Sequence, residues 1–180
     1  MVLKAIMVTS CVAAVGVGIV LAIAAAKPAT FQIRRSIAIA APPVKVYWLI
    51  CDFHNWPQWA PQDREDPTML RTYSGAPSGV GAVSEWTSKG TAGTGKMEVS
   101  EAQASSRLTV QTYFQKPFRA HNVNEFSLEP EGAGTTVTWT MHGPNLFPMK
   151  VMATFVDMDR MMGEHFDNGL RNLKAAAEPQ

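Results

Sequence analysis

Thr135-Thr136-Val137-Thr138-Trp139-Thr140-Met141-His142-Gly143-Pro144 is the stretch on which the fold turns. It is the last of a series of strand-like runs, and immediately after it the hydrophobic period changes. Pro148 opens a segment to about Ala176 in which Met152, Phe155, Met162, Phe166, Leu170 and Leu173 fall on one face of a 100°-per-residue wheel. That spacing predicts one long amphipathic helix. Upstream, from Thr68 to His142, Gly-rich breaks at 75–81, 90–95 and 131–134 separate runs rich in Val, Thr, Phe and Trp. These predict antiparallel strands near 68–73, 81–88, 95–103, 106–114, 122–130 and 135–142.

Working further outward, Thr30 to Ala40 alternates, with Phe31, Ile33, Ile37 and Ile39 on one side and Gln32, Arg34 and Ser36 on the other. This is the pattern of a half-buried strand. Ala41-Pro42-Pro43 ends it and starts a helix to about Phe53, since proline is tolerated in a first helical turn. Asn55-Trp56-Pro57 starts a second short helix ending near Trp59. The expected class is α+β: a curved antiparallel sheet wrapped around a long C-terminal helix, which buries its inner face.

Ala5 to Ala26 is an uncharged run of 22 residues, nearly all apolar. As a helix it would span roughly 33 Å, enough for a hydrocarbon core of about 30 Å. The expectation is a single-pass N-terminal anchor in residues 1–27, with the membrane as partner through 5–26 and one domain over 28–180. A cleaved signal is the alternative, given the A-x-A spacing of Ala22, Ala24 and Ala26. Lys27, Arg34 and Arg35 favour a cytoplasmic domain by the positive-inside count, while the short N-terminal flank suits an exported one. Arg34-Arg35 beside a span would also suit contact with anionic lipid.

The charge balance excludes some classes of function. Sixteen Lys+Arg stand against 15 Asp+Glu, and without residues 1–27 the balance is 14 against 15. A polycation acting on nucleic acid is therefore excluded as the main function, and 46% hydrophobic residues exclude wholesale disorder. No two of His54, His121, His142 and His165 have metal-ligand spacing, so neither a metal nor another cofactor is expected. The Gly90-Thr91-Ala92-Gly93-Thr94-Gly95 run precedes a strand rather than a helix, and reads as a hairpin turn rather than a phosphate loop.

The chain resembles the START-like superfamily, also called SRPBCC or polyketide cyclase/dehydrase-like. The resemblance is carried by Ile37 to Trp48, by Asp52-Phe53-His54-Asn55-Trp56-Pro57-Gln58-Trp59, and by Gly79-Val80-Gly81. Lys116-Pro117-Phe118, Phe126-Ser127-Leu128-Glu129-Pro130 and Gly134 to Trp139 carry the rest. It covers roughly residues 30–177 and implies a helix-grip fold with an internal cavity. Activity does not follow, because such folds host carriers, binders and enzymes.

On that resemblance Trp59, Trp86, Phe118 and Trp139 are candidates to line the cavity, with core packing as the alternative for each. Met149, Met152, Met158, Met161 and Met162 place five of ten methionines in one stretch, which suits an adaptable pocket wall or a gap-filled core. On the helix face Met152, Phe155, Met162 and Phe166 are expected ligand contacts. Asp159 lies within this apolar stripe, and a carboxylate there must reach water, a partner or a protonated state. It either faces a ligand or forms a salt bridge at the cavity edge, and it is the single candidate for catalysis.

The expected function is membrane-tethered binding or transfer of a hydrophobic molecule such as a lipid, isoprenoid or aromatic. A cyclase- or dehydratase-like enzyme and an interaction module with a collapsed cavity are the rivals. Asp159→Asn separates the first two: turnover assayed beside ligand binding falls at least 100-fold with binding unchanged if Asp159 is an acid/base group, and neither changes in a carrier.

Overall fold

The computed structural model describes the backbone of residues 2–178 except Thr91, and the side chains of residues 13–178 except Glu65 and Thr91. The described residues form one seven-stranded sheet: β1 (Thr30–Ile39), β2 (Leu70–Gly75), β3 (Ala82–Thr87), β4 (Thr94–Gln103), β5 (Arg107–Lys116), β6 (Ala120–Glu131) and β7 (Gly134–Pro144). Their order is β1-β7-β6-β5-β4-β3-β2, and every neighbouring pair is antiparallel. β2 to β7 therefore form a meander, and β1 returns beside β7. Between β1 and β2 lie α2 (Pro43–Cys51), a 3-10 segment (Phe53–Gln58) and α3 (Pro61–Glu65). All six expected strands after β1 are present within a few residues of their expected limits.

The strand alternation sets the inner face. On β6, Asn122, Asn124, Phe126 and Leu128 point inward, and on β5 Leu108, Val110 and Thr112 do so. Opposite them lies α5 (Met158–Ala177), whose Phe166, Leu170, Leu173 and Ala177 are buried. Phe166 stacks on Trp139 at 4.1 Å between ring centroids, and Trp139 stacks on Phe126 at 5.2 Å. Trp59 meets the edges of both Phe126 and Trp139. The middle of α5 is thus clamped to the sheet by an aromatic cluster at Phe166.

The single helix expected over 148–176 is instead two. α4 (Phe147–Met152) ends at Ala153, and α5 begins after Asp157, whose side chain accepts a hydrogen bond from the Arg160 amide at 3.0 Å. An aspartate gains more as an N-cap than inside a helix, because it satisfies an orphan N–H. The break changes the phase of the apolar stripe. Met152 and Phe155 consequently leave the inner face, and Phe155 is 72% exposed.

The backbone of Val2–Ala26 is helical (α1) and packs on α4, with Ala24 buried. Part of the expected anchor, residues 5–12, has side chains outside the described residues. Among the described residues no helix is long and apolar enough to cross a membrane. The expected single-pass anchor, the membrane partner through residues 5–26 and the membrane localisation are corrected on that finding.

Gly95 on β4 tests the packing of the sheet. A Cβ there would overlap the Trp86 indole and the Tyr113 carbonyl. Gly95→Ala is expected to destabilise by about 1–3 kcal/mol through overpacking, read as a lower urea midpoint with an unchanged m-value.

Candidate functional site

The N-terminal half of α5 does not fill the sheet as its C-terminal half does. Beneath it lie two lobes of a cavity, about 360 Å³ and about 450 Å³. The lobes share Ala92, Phe114, Met141 and Met162, which stand where the two adjoin. Methionine is unbranched and polarizable, so Met141 and Met162 can re-pack around differently shaped guests.

The expected site residues separate into four groups. Trp86, Trp139 and Phe166 line the first lobe, Phe118 and Asp159 the second, and Met162 both. Trp59 lines neither lobe. It is fully buried behind the aromatic cluster, and its indole N–H donates to the Leu49 carbonyl at 2.9 Å. Met152 and Phe155 also line neither lobe, because the break before α5 turns them outward. Of the other methionines, Met161 lines the first lobe and Met149 and Met158 the second.

Asp159 is at the rim rather than in the apolar interior, with its side chain 68% exposed. Its Oδ2 accepts from Arg35 Nη2 at 3.2 Å. Arg35 is on the inward face of β1 and crosses Gly163, where a Cβ would overlap its guanidinium. Arg35 Nη2 also donates to the Asp159 carbonyl at 3.1 Å, and Nε lies 3.6 Å from Asp167 Oδ2. The salt bridge left open for Asp159 is present, and Asp159 also lines the second lobe. Arg35 itself is turned toward α5, away from the lipid contact its sequence neighbourhood suggests.

Polar groups inside the cavity are missing from the sequence-based expectations. Arg71 on β2 lines the first lobe and forms a two-pronged ion pair with Asp63 of α3, Nη2 to Oδ2 at 2.7 Å and Nε to Oδ1. The two side chains are only 8% and 7% exposed, and Arg71 Nη1 also donates to Ser84 Oγ at 3.0 Å. Deeper, Trp139 Nε1 donates to Asn124 Oδ1 at 2.9 Å, and Asn124 Nδ2 donates to Thr112 Oγ1 at 2.9 Å. A legible signal exists for the asparagines. Asn122 and Asn124 occupy the same alternating positions as Phe126 and Leu128, where an amide without a role is costly. Arg71 offers no comparable signal, because β2 alone does not alternate in burial.

The described thiol, Cys51, is buried. Burial, with the Asp52 charge beside it, pushes the Cys51 thiol up to about 11, so the reactive thiolate is scarce near neutral pH. Among the described residues no cluster of three His, Cys, Asp or Glu is placed to hold a metal. The site is an apolar chamber with a few placed hydrogen-bonding groups, the composition of a small-molecule binding pocket.

A curved antiparallel sheet closed by a C-terminal helix over such a chamber defines the class of cavity-containing binding or cyclase folds. The chain belongs to the family described as polyketide cyclase/dehydrase and lipid transport, whose model matches residues 30–178. Among curated proteins none matches the sequence. Solved structures share the fold at low identity. Protein CV1439 from Chromobacterium violaceum is 17% identical, with 86% of this chain and 100% of that one covered and a TM-score of 0.59. TTHA0849 from Thermus thermophilus is 18% identical over 82% of this chain and 97% of that one, TM-score 0.59. DynU16, from the dynemicin biosynthetic locus, is 17% identical over 80% of this chain and 46% of its own, TM-score 0.56.

The Arg71–Asp63 pair is open to a direct test. Removing one partner of a buried pair strands the other charge, so Asp63→Ala is expected to cost about 3–5 kcal/mol. The double variant Asp63→Leu with Arg71→Met leaves no stranded charge and is expected to recover most of that loss, as measured by urea unfolding.

Proposed function

We propose that the protein binds a small-to-medium hydrophobic molecule in the two-lobed cavity and holds or transfers it. The observation that carries this reading is that two apolar lobes adjoin at shared residues, which would serve as a neck between them. Phe114, Met141 and Met162 belong to both lobes, so one elongated guest can lie under α5 from Arg71 at one end to Phe118 at the other. The driving force is removal of apolar surface from water. At about 25 cal/mol per Å², burying about 300 Å² of ligand supplies about 7 kcal/mol before the cost of immobilisation. That range suits a lipid, isoprenoid or polycyclic aromatic.

A carrier role is favoured over catalysis by the state of the carboxylates. Among the described residues Asp159 is the one carboxylate lining a lobe, and it is paired with Arg35; Asp63, paired with Arg71, lines neither. General acid–base work needs a group poised to exchange a proton with the substrate.

The test is native mass spectrometry of the full chain, followed by solvent extraction of whatever co-purifies. An apolar species is expected in the wild type. Met162→Trp fills the neck and is expected to reduce retention at least tenfold with the circular dichroism spectrum unchanged. A chain that retains nothing and binds no lipid, isoprenoid or aromatic from a panel would overturn the reading.

A further inference from the structure

The inner face of β6 places two amides where the lobes meet, Asn124 against the first and Asn122 against the second. Both are more than nine-tenths buried, at 5% and 7% exposure. Their hydrogen-bonding capacity is unequally spent. Asn124 accepts from Trp139 and donates to Thr112, which fixes its orientation. Asn122 Oδ1 is buried with no partner, and its Nδ2 meets only the thioether of Met141 at 3.8 Å. Thioether sulfur is a weak acceptor, so both ends of the Asn122 amide lack a full partner. The neighbouring position on β7 is Gly143, where a Cβ would overlap Oδ1, so the glycine leaves room for the amide.

We infer that Asn122 recognises a hydroxyl group of the ligand. The inference rests on the binding reading above and narrows its chemistry. An unmet acceptor beside a poorly met donor calls for a group that can both donate and accept, and an alcohol, phenol or enol oxygen does both. A carboxylate does not suit the site. It would set its charge against Oδ1, and the charged Lys, Arg, Asp and Glu side chains lining the lobes among the described residues offer little compensation. Arg71 is ion-paired with Asp63, Asp159 with Arg35, and Lys116 is exposed. The ligand class is therefore an uncharged, hydroxyl-bearing apolar molecule, its hydroxyl at Asn122 and its ring or chain along the methionine neck.

Equilibrium dialysis of the full chain at neutral pH against 2-naphthol, naphthalene and 2-naphthoate tests this, the three sharing one ring system. Wild type is expected to bind 2-naphthol about three- to tenfold more tightly than naphthalene, the size of one net hydrogen bond, and 2-naphthoate more weakly than 2-naphthol. Asn122→Leu is expected to remove the preference for 2-naphthol while leaving naphthalene bound. Equal affinity of wild type for 2-naphthol and naphthalene, tighter binding of 2-naphthoate, or a preference that survives in Asn122→Leu would each overturn the inference while the cavity reading stands. Failure of all three probes to bind would overturn the inference, while the binding reading stands or falls by the native mass spectrometry and the ligand panel. Should Asn122→Leu not fold, as its circular dichroism would reveal, the wild-type comparison decides alone.

Discussion

The stack of Phe126, Trp139 and Phe166 is the contact on which the interior depends. It joins β6, β7 and α5 in one column of rings, and Trp59 closes its edge from the segment after the 3-10 turn. Such rings bury large areas and prefer particular offsets, so they fix the helix both in height and in rotation. Trp139 is anchored further by its N–H to Asn124, and Gly169 lets α5 approach the Trp139 ring and Pro61. With α5 pinned this way at Phe166, its first two turns lie over the other end of the sheet with space beneath them. The cavity is what that geometry leaves.

The open end is kept open by polar ties rather than apolar packing. Arg35 reaches from β1 across Gly163 to the first turn of α5, where Asp159 holds it. At the opposite wall Arg71 and Asp63 tie β2 to α3. A buried ion pair contributes less net stability than an apolar contact of the same volume, but it specifies one geometry and resists collapse. The Arg35 tie is more exposed, and in water it contributes little beyond orientation. The two ties lie at opposite edges of the sheet, and Met141 and Met162 stand where the two lobes adjoin.

Much of this arrangement is legible in the sequence, and the misses share a cause. Strand positions follow from alternation and glycine breaks, each a local signal, so the limits of β3 to β7 are close to expectation. Trp86, Trp139, Met162 and Phe166 reach the cavity because a strand or helix period alone determines which way they face. Met152 and Phe155 fail because a wheel drawn through Asp157 assumes one helix, and a single capping aspartate resets the phase. Trp59 shows the limit for aromatics: burial is readable, but which buried ring borders empty space depends on packing from distant elements. Arg35 is hidden differently. It shares the inward positions of Ile33 and Ile37, yet its adjacency to Arg34 makes the two read as one basic pair.

The size of the chamber bears on how the protein can exist. An apolar void left sealed and empty costs about 24 cal/mol per Å³ in engineered cores, which for the smaller lobe of 360 Å³ alone would be about 9 kcal/mol. Whole domains are stable by only about 5–15 kcal/mol. The space therefore has to be open to water or occupied. Water finds few partners along Trp86, Phe114, Met141 and Met162, and an apolar guest displaces it with gain at nearly every wall. A ligand that occupied it would stabilise the folded chain in proportion to the logarithm of its concentration over its dissociation constant. The cost of its emptiness and the affinity of its occupant are two expressions of the same unfilled surface beneath the first half of α5.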